Sequence, residues 1–470
     1  MKVGIRIDRP NAVGTAVALT SVAAYLGAGM LALAAVSALW IAALIFSGRD
    51  SVGRSAILLF FAAFTLPLSV NVTAEGGTVF GVPGEVLTGA AALSLGIFFL
   101  KYGGLRSRIV GAPLPALLLL AFLPPLIFTT RTEVSVKAVI IQAAYIAAFF
   151  YLPFYLRISG RSLRGIFAVY AATVVPAFLW SLWNYAGFDF NPVTVPGIFR
   201  PFFNDHTIFG AAAALLAAFF FVRGLLSGSV KGVVAGVFFI GLTVFSGSRA
   251  AIISLAVIPA AGLFAYAKFW RIVLPASAGL LAAIALSQPG MLLTFTENSA
   301  SEPVSVGDHP LRRLQSASNV HSDVSNIERL NRWHAALAMF AERPHTGFGP
   351  GTYQFAYIPY QSSAYENRLT VHNPERPPQG SGGTAHSELL LLLSESGWPA
   401  AAVFVLFLLR CIFIFFRKAR WDTPLLTGAC AGLFTYFIHM QFNNFLTTDK
   451  FAFLFWGMAA AAEAEYRRLT

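Results

Sequence analysis

The chain alternates long apolar stretches with short polar ones along nearly its whole length. Many apolar stretches run for about 16–22 residues, enough for a helix rising 1.5 Å per residue to cross a hydrocarbon core of roughly 30 Å. Segments with strand-type alternation are absent, and only helices with this pattern satisfy their own backbone inside a bilayer. The pattern therefore predicts an all-α, polytopic membrane protein.

Short basic clusters separate the apolar stretches, as is typical of cytoplasmic loops. The clusters are Lys2–Arg9, Arg49–Arg54, Lys101–Arg108, Arg157–Arg164, Arg223–Lys231, Lys268–Arg271, Arg417–Arg420 and Arg467–Arg468. Each consecutive pair encloses enough apolar sequence for two crossings, which predicts about fourteen helices with both termini inside. Turn signals at residues 27–29 and 74–77 divide the first two pairs. About twelve helices result if the segments flanking residues 246–249 are re-entrant, or if residues 11–46 cross differently.

One polar interruption, residues 291–397, stands out from this pattern. It holds six of the eight histidines, 10 of the 21 acidic residues and seven arginines, but no lysine. Parity of crossings places it on the outer side, together with residues 187–206, Arg249 and Thr447–Lys450. A simple connector between helices does not need this set of side chains, so the interruption is predicted to be functional.

The interruption also contains its own helical pattern. Residues 326–343 predict an amphipathic helix whose apolar positions are Ile327, Leu330, Leu337 and Phe340. Pro344 is expected to end it. The predicted organisation is thus N-terminal membrane helices at 1–194, helices with outward-facing arginine motifs at 195–290, a functional loop on the outer side at 291–397, and C-terminal helices at 398–470.

The composition excludes two classes of protein. With 57% hydrophobic and only 11% charged residues the chain is not a soluble globule, since soluble domains carry about 25% charged residues. The net charge of +12 suggests nucleic-acid binding, but the basic residues outside the loop fall in topology-setting clusters. No nucleic-acid partner is predicted. Cys411 and Cys430 both lie in apolar segments and indicate neither a disulfide framework nor a thiolate metal site.

Arginines are the first candidates for chemistry on the outer side. Arg249 ends an apolar segment, Arg200 opens another outer turn, and Arg329 and Arg332 lie three residues apart on the loop helix. A guanidinium group suits the oxygens of a phosphate or diphosphate. The structural alternatives are a headgroup contact for Arg249, an interfacial anchor for Arg200, and pairing with Glu328 or Glu342 for the loop arginines.

His386 is the candidate general base. It stands at the start of a helix that returns to the membrane, where the helix dipole disfavours an imidazolium cation. A neutral imidazole can accept a proton at physiological pH. The alternative is a capping or packing histidine. The other loop histidines lack a metal signature, so neither a metal nor another cofactor is predicted. The glycine-spaced segment 345–353 is either an anion nest or a plain turn.

Several motifs together resemble the O-antigen ligase and polymerase family of bacterial envelope enzymes. They are Ser248-Arg249-Ala250 with the preceding stretch Arg200–Gly210, Arg329-x-x-x-Trp333, Pro344-x-x-Gly347-x-Gly349-x-Gly351-x-Tyr353, Ala385-His386-Ser387-Glu388-Leu389, and Glu395-Ser396-Gly397. The resemblance covers roughly residues 195–405. One departure is Ser387, where many relatives carry Asn or Asp.

The resemblance implies about 12–14 transmembrane helices and one large, partly helical periplasmic loop in a bacterial inner membrane. It implies transfer of a glycan from an undecaprenyl diphosphate carrier to an acceptor sugar, either lipid A–core or a lipid-linked repeat unit, without metal or nucleotide. His386, Arg249 and Arg329 are the expected catalytic residues. Arg200, Arg332, Tyr353 and Glu388 are the expected substrate-binding residues.

Alternatives remain both within the family and outside it. Within the family, the sequence does not separate a ligase from a polymerase, and a protein O-oligosaccharyltransferase is the less favoured third type. Outside it, a multi-pass polysaccharide or lipid transporter fits the helix number. A transporter is expected to carry ionisable residues and broken helices near the middle of the membrane. Here the polar residues gather at the outer face, which favours an enzyme.

Overall fold

A computed structural model describes residues 59–73, 79–102, 111–156, 160–191, 194–267, 324–373 and 383–470. The predicted helices within residues 11–46, the turn signals at 27–29 and 74–77, and His309 and His321 lie outside the described residues. Helices make up most of the described part, and they confirm the helical membrane class.

The helices follow in chain order. They are Leu59–Leu68 (α1), Gly84–Tyr102 (α2), Leu114–Ala121 (α3), Leu123–Ile127 (α4), Thr132–Tyr155 (α5, with a π-helical turn at Ile146–Tyr151), Gly160–Gly187 (α6), His206–Leu226 (α7), Val230–Phe245 (α8), Arg249–Ser254 (α9), Val257–Ala267 (α10), Val324–Glu342 (α11), Tyr353–Ala356 (α12), Glu388–Lys418 (α13), Pro424–His439 (α14) and Asp449–Leu469 (α15). Single 3-10 turns occur at Ile358–Tyr360 and Ser363–Tyr365.

Four of the described helices are long and apolar enough to cross a membrane: Thr132–Tyr155, Ser162–Gly187, His206–Leu226 and Glu388–Lys418. Between Arg164 and Arg223 the chain forms most of α6 and α7, whereas α8, α9 and α10 lie between the next two basic clusters. The total of about 12–14 crossings stays a prediction, because it includes segments outside the described ranges.

A short β-hairpin was not predicted. Strands Val70–Thr73 (β1) and Val79–Val82 (β2) pair antiparallel, with Val70 opposite Val82. Four residues are far too few to cross a bilayer as a strand, which takes about 9–11, so the hairpin is a local element of the helix connection. The Asn71 amide donates a hydrogen bond of 3.2 Å to the Asn204 side-chain oxygen, which fastens the hairpin to the loop before α7.

Helix α7 forms the centre of the packing, and 83% of its most apolar stretch is buried. Small residues allow its neighbours to approach closely, as in other membrane helix interfaces. A Cβ atom on Gly224 would lie 2.6 Å from the backbone of Gly232 in α8, and one on Gly428 in α14 would lie 2.9 Å from the Phe219 carbonyl oxygen. The second half of α7 is thereby in close contact with both α8 and α14.

The predicted loop helix is present as α11, which spans Val324–Glu342 and ends before Pro344. Its predicted apolar face was wrong in one respect, since Leu337 is 52% exposed. The buried face instead carries Ile327, Ala335 and Met339, together with the polar residues Asn331 and Arg332. Polar residues enter this face because they find partners within the loop, which periodicity of apolar residues cannot reveal.

The glycine-spaced segment before α12 docks onto α13. The Gly349 amide donates to the Glu395 carbonyl oxygen at 2.8 Å. The Glu395 carboxylate accepts from the backbone amides of Gly351 and Tyr353, at 2.8 and 2.9 Å. The sequence leaves open whether segment 345–353 is an anion nest or a plain turn. In the structure it is a turn whose amides bind the protein's own Glu395 carboxylate.

The docking requires glycine at a kink in α13. Gly397 has a φ of 73°, and a Cβ atom there would lie 2.5 Å from the His345 carbonyl carbon. Just beyond the kink, the Trp398 amide donates to the Pro344 carbonyl oxygen at 2.9 Å. The loop motif and the Glu395-Ser396-Gly397 motif are thus two halves of one contact.

We predict that Gly347→Ala destabilises the protein and that Gly241→Ala does not. Gly347 has a φ of 59° and its Cβ would overlap the Glu395 carbonyl carbon, and the left-handed conformation alone costs about 1–2 kcal/mol. Gly241 lies in α8, where an added Cβ would meet no atom within 4 Å. The apparent melting temperature of purified protein in detergent measures the difference. Equal melting temperatures for the two variants would contradict the docking described above.

Candidate active site

A cavity of about 150 Å³ lies where four elements meet: the start of α7, the turn before α9, the loop helix α11 and the segment after α14. Its wall includes Arg249, Arg329, His206, Asn326 and Asn443. We refer to it as the arginine cavity. Two predicted catalytic arginines, 80 residues apart in sequence, therefore line one space.

Arg249 is positioned by a serine-rich turn. Gly247 has a φ of 66°, and the Ser248 hydroxyl caps α9 by accepting from the Ala251 amide at 3.4 Å. The turn packs against Gly210 of α7, where a Cβ atom would come within 3.0 Å of the Ser248 Cβ. The sequence Ser246-Gly247-Ser248 thus turns the chain tightly enough to place Arg249 beside the start of α7.

Arg329 is held by the loop helix and the segment after α14. Its Nε donates to the Phe442 carbonyl oxygen at 3.4 Å, and its Nη1 donates to the Asn326 side-chain oxygen at 3.3 Å. The guanidinium group therefore joins the loop to the membrane helices at the cavity wall. With Arg249 opposite in the same lining, the cavity is suited to an anion with several oxygens.

His386 lies at the strained start of α13. Its φ is 51°, unusual for a residue other than glycine, and such a conformation costs about 1–3 kcal/mol and is found often at functional sites. The Trp333 indole holds the segment by donating to the His386 carbonyl oxygen at 3.3 Å. The next residue, Ser387, caps α13 by accepting from the Leu390 amide. Because Ser, Asn and Asp are all good helix caps, the departure at Ser387 keeps the same structural role.

The electrostatic surroundings hold the His386 imidazole neutral. Burial, followed by the positive charges of Arg329 and Arg332, lowers the pKa of His386 to about 3. Asp205 and a side-chain hydrogen bond with Asn443 act in the opposite direction. The helix dipole also lowers the pKa of His386, as the sequence predicts. The charges that the structure adds to it are the guanidinium groups of Arg329 and Arg332.

Asn443 is a residue that sequence reasoning missed. It is buried, lines the arginine cavity, and shares hydrogen bonds with His386 and with His439, whose Nε2 lies 3.0 Å from the Asn443 Nδ2. An amide in this position can fix the orientation and tautomer of an imidazole. Its only sequence signal is its place on the outer side after α14, because no local motif marks it.

Asp205 and His206 were also not singled out as chemical groups. Asp205 caps α7 by accepting from the Thr207 amide at 2.7 Å, and its carboxylate lies 2.8 Å from His206 Nδ1. Burial acts to raise the pKa of Asp205, but the hydrogen bonds from His206 and Thr207 outweigh it and hold that pKa below its usual range. The start of α7 therefore places one carboxylate near the two arginines.

The four predicted substrate-binding residues lie elsewhere. Arg332 is fully buried, pairs with Glu328 at 2.6 Å and lies 4.1 Å from the Tyr357 ring centre. Tyr353 is buried and its hydroxyl donates to the Arg332 carbonyl oxygen at 2.8 Å. Arg200 is exposed and its Nε donates to the Asn204 carbonyl oxygen at 3.4 Å. None of these three is among the described residues that line the arginine cavity.

Glu388, the fourth, is buried at the start of α13. Its carboxylate accepts hydrogen bonds from the Tyr436 hydroxyl and from the Phe445 amide, the latter at 3.1 Å. The Glu388 amide donates to the Met440 carbonyl oxygen at 3.0 Å. Glu388 therefore fastens the segment after α14, which carries Asn443, to the helix that follows His386.

We predict that Glu328→Gln strongly destabilises the loop. Burial raises the pKa of Glu328 while Arg332 acts against that rise, and removing the carboxylate leaves Arg332 buried without its ion-pair partner, a loss of about 3–5 kcal/mol. Glu366→Gln is the matched control, because Glu366 pairs with His372 on the surface and such pairs contribute about 0–1 kcal/mol. Thermal unfolding measures both, and equal effects would contradict a structural role for the buried pair.

The fold and the cavity define a helical membrane protein with a cationic site at one end of its helices. Residues 234–405 match the family model described as O-antigen ligase. This segment runs from α8 into α13 and contains Arg249, Arg329 and His386. This segment of the chain therefore matches an O-antigen ligase domain, and the match confirms the resemblance to the O-antigen ligase and polymerase family. No curated protein matches the chain.

The domain supports a general statement of activity. It indicates a ligase- or polymerase-type glycosyltransferase that uses lipid-linked glycans among membrane lipids. The family match and the apolar helices together indicate a membrane location.

Proposed function

We propose that the protein transfers a glycan from undecaprenyl diphosphate to a hydroxyl group of an acceptor sugar on the periplasmic side of the bacterial inner membrane. The acceptor is either lipid A–core or a second lipid-linked repeat unit, in surface-polysaccharide synthesis. The observation that carries this proposal is the arginine cavity, in which Arg249 and Arg329 line one space next to the Asn443 that contacts His386.

The two arginines are the proposed diphosphate ligands. Guanidinium groups form charge-assisted hydrogen bonds with phosphate oxygens, and they stabilise the charge that develops as the diphosphate leaves. Membrane helices on the same side are available to contact the prenyl chain.

The proposed reaction is a single displacement at the anomeric carbon. The acceptor oxygen forms a bond to that carbon while the carbon–oxygen bond to the diphosphate breaks, and the electron pair leaves with the diphosphate. The acceptor proton passes to the neutral His386 imidazole. One displacement inverts the configuration at the anomeric carbon.

Donor binding is expected to strengthen the base. In the protein without donor, Arg329 and Arg332 contribute to the low pKa of His386. A bound diphosphate places negative charge beside Arg329, which offsets that contribution and raises the pKa of the imidazole. The base is therefore expected to gain proton affinity only when the leaving group is in place.

We predict that His386→Ala lowers glycan transfer by about 10²–10⁴-fold, the usual contribution of a general base, without loss of expression. The measurement is the initial rate of transfer by purified protein in nanodiscs with native lipid-linked oligosaccharide. His372→Ala is the control, because this exposed histidine pairs with Glu366 and is not among the described residues of the arginine cavity. Wild-type transfer by His386→Ala would exclude this residue as the base.

We predict that kcat and kcat/KM for the donor fall at different pH values on the acid side of their pH profiles. The profile of kcat/KM for the donor reports the free enzyme, in which His386 has a pKa of about 3, whereas kcat reports the complex. Because diphosphate raises that pKa, activity in kcat should fall off at a higher pH than activity in kcat/KM. Steady-state rates across the acid range measure both. Coincident limbs, or the reverse order, would contradict the coupling.

A further inference from the structure

A second and larger cavity, of about 730 Å³, plays no part in the donor site described above. It lies between α3, α5, the segment before α12, α13 and the start of α15. We refer to it as the second cavity. Its volume is within the range of about 300–1,000 Å³ that is usual for small-molecule sites.

Three buried polar side chains line the second cavity without a hydrogen-bond partner among the described residues. They are Asn444, whose Nδ2 and Oδ1 both lack one, Ser396 through its Oγ, and Trp456 through its Nε1. Asn444 is 6% exposed and the other two are 1% exposed. A buried polar group left without a partner costs about 1–3 kcal/mol, so three of them among the lining residues of one cavity indicate a ligand that bonds to them.

The chemistry of the wall selects among ligands. Three carboxylates, those of Glu133, Glu388 and Glu395, line the second cavity against one ammonium group, that of Lys137. Glu388 and Glu395 accept from the protein's own donors. They disfavour an anion, whereas the unpartnered groups are a neutral amide, a hydroxyl and an indole N–H. A prenyl chain would leave all three unpaired. Hydroxyl groups of a neutral sugar can both donate to and accept from them.

The second cavity also lies beside the segment that carries His386. Thr384 and Glu388, each two residues from His386, line the second cavity. Asn443 lines the arginine cavity and Asn444 lines the second cavity. Segment 443–444 therefore stands between the two spaces, and its Asn443 contacts His386.

We infer that the second cavity binds a neutral sugar residue of the acceptor glycan, through Asn444, Ser396 and Trp456. The acceptor role rests on the proposed function, in which the donor diphosphate occupies the arginine cavity. Donor and acceptor then reach the His386 segment from two sides.

The first test is binding without catalysis. Two probes are the oligosaccharides released by mild acid from lipid A–core and from the undecaprenyl-linked repeat unit of the host, titrated calorimetrically into purified protein. One probe should bind, with Kd raised at least tenfold by Asn444→Leu and raised less by the milder Ser396→Ala. Ser394→Ala is the matched control, because the Ser394 hydroxyl bonds within α13 to the Leu390 carbonyl oxygen at 2.8 Å and should leave Kd unchanged.

The second test assigns the sugar to acceptor or donor. In the transfer assay, Ser396→Ala and Asn444→Leu should raise KM for the acceptor and leave KM for the donor unchanged. A rise confined to the donor KM would overturn the acceptor role. Binding and kinetics that match wild type in both variants would overturn the sugar site and leave water as the partner of these groups.

The outcomes separate this inference from the proposed function. Arg249→Gln should abolish transfer yet keep oligosaccharide binding, because Arg249 lies in the other cavity. If wild-type protein transfers no glycan but its binding is weakened by Asn444→Leu, the sugar site stands and the acceptor role falls. If transfer is normal and neither variant affects binding or KM, the proposed function stands and the second site falls.

Discussion

The arginine cavity depends on one contact, the docking of the loop segment 324–373 onto helix Glu388–Lys418. Arg249 comes from a turn between membrane helices, whereas Arg329 comes from the loop helix, so the two share a cavity only while the loop is fixed. The Glu395 carboxylate fixes it by accepting from two amides of the glycine-spaced turn. Glycines at 347 and 397 allow the close approach. The glycine-spaced segment and the Glu395-Ser396-Gly397 motif of this chain therefore hold the loop in place, and with it Arg329 in the cavity that Arg249 also lines.

The charge balance around His386 follows from the same arrangement. Burial, followed by the charges of Arg329 and Arg332, keeps the His386 imidazole neutral but also makes it a weak base, with a pKa of about 3. A bound diphosphate would offset the charge of Arg329, and so raise the pKa of His386, and it would also supply the leaving group. Water cannot do this, since it carries no charge. In the proposed mechanism, proton transfer is thereby limited to the donor-bound state.

The sequence predicted those parts of the protein whose cause is local. Helix α11 follows from its composition and from Pro344, and the arginine and histidine motifs stood out because charged residues are costly at a membrane. The side-chain environments could not be read in this way. Arg332 is buried because Glu328 and Tyr357 lie on its two sides, and Leu337 is exposed because polar residues fill the buried face instead. Asn443 and Asn444 belong to different cavities although they are adjacent, a property that only tertiary packing decides.

The central claim is that Arg249 and Arg329 together bind a prenyl diphosphate. The most direct measurement is calorimetric titration of farnesyl diphosphate into purified wild-type protein, Arg249→Gln and Arg329→Gln, with the exposed Arg368→Gln as control. We expect saturable binding that weakens with salt, falls at least tenfold in each cavity variant and is unchanged in the control. Equal affinity in all four proteins, or no binding to wild type, would contradict this claim.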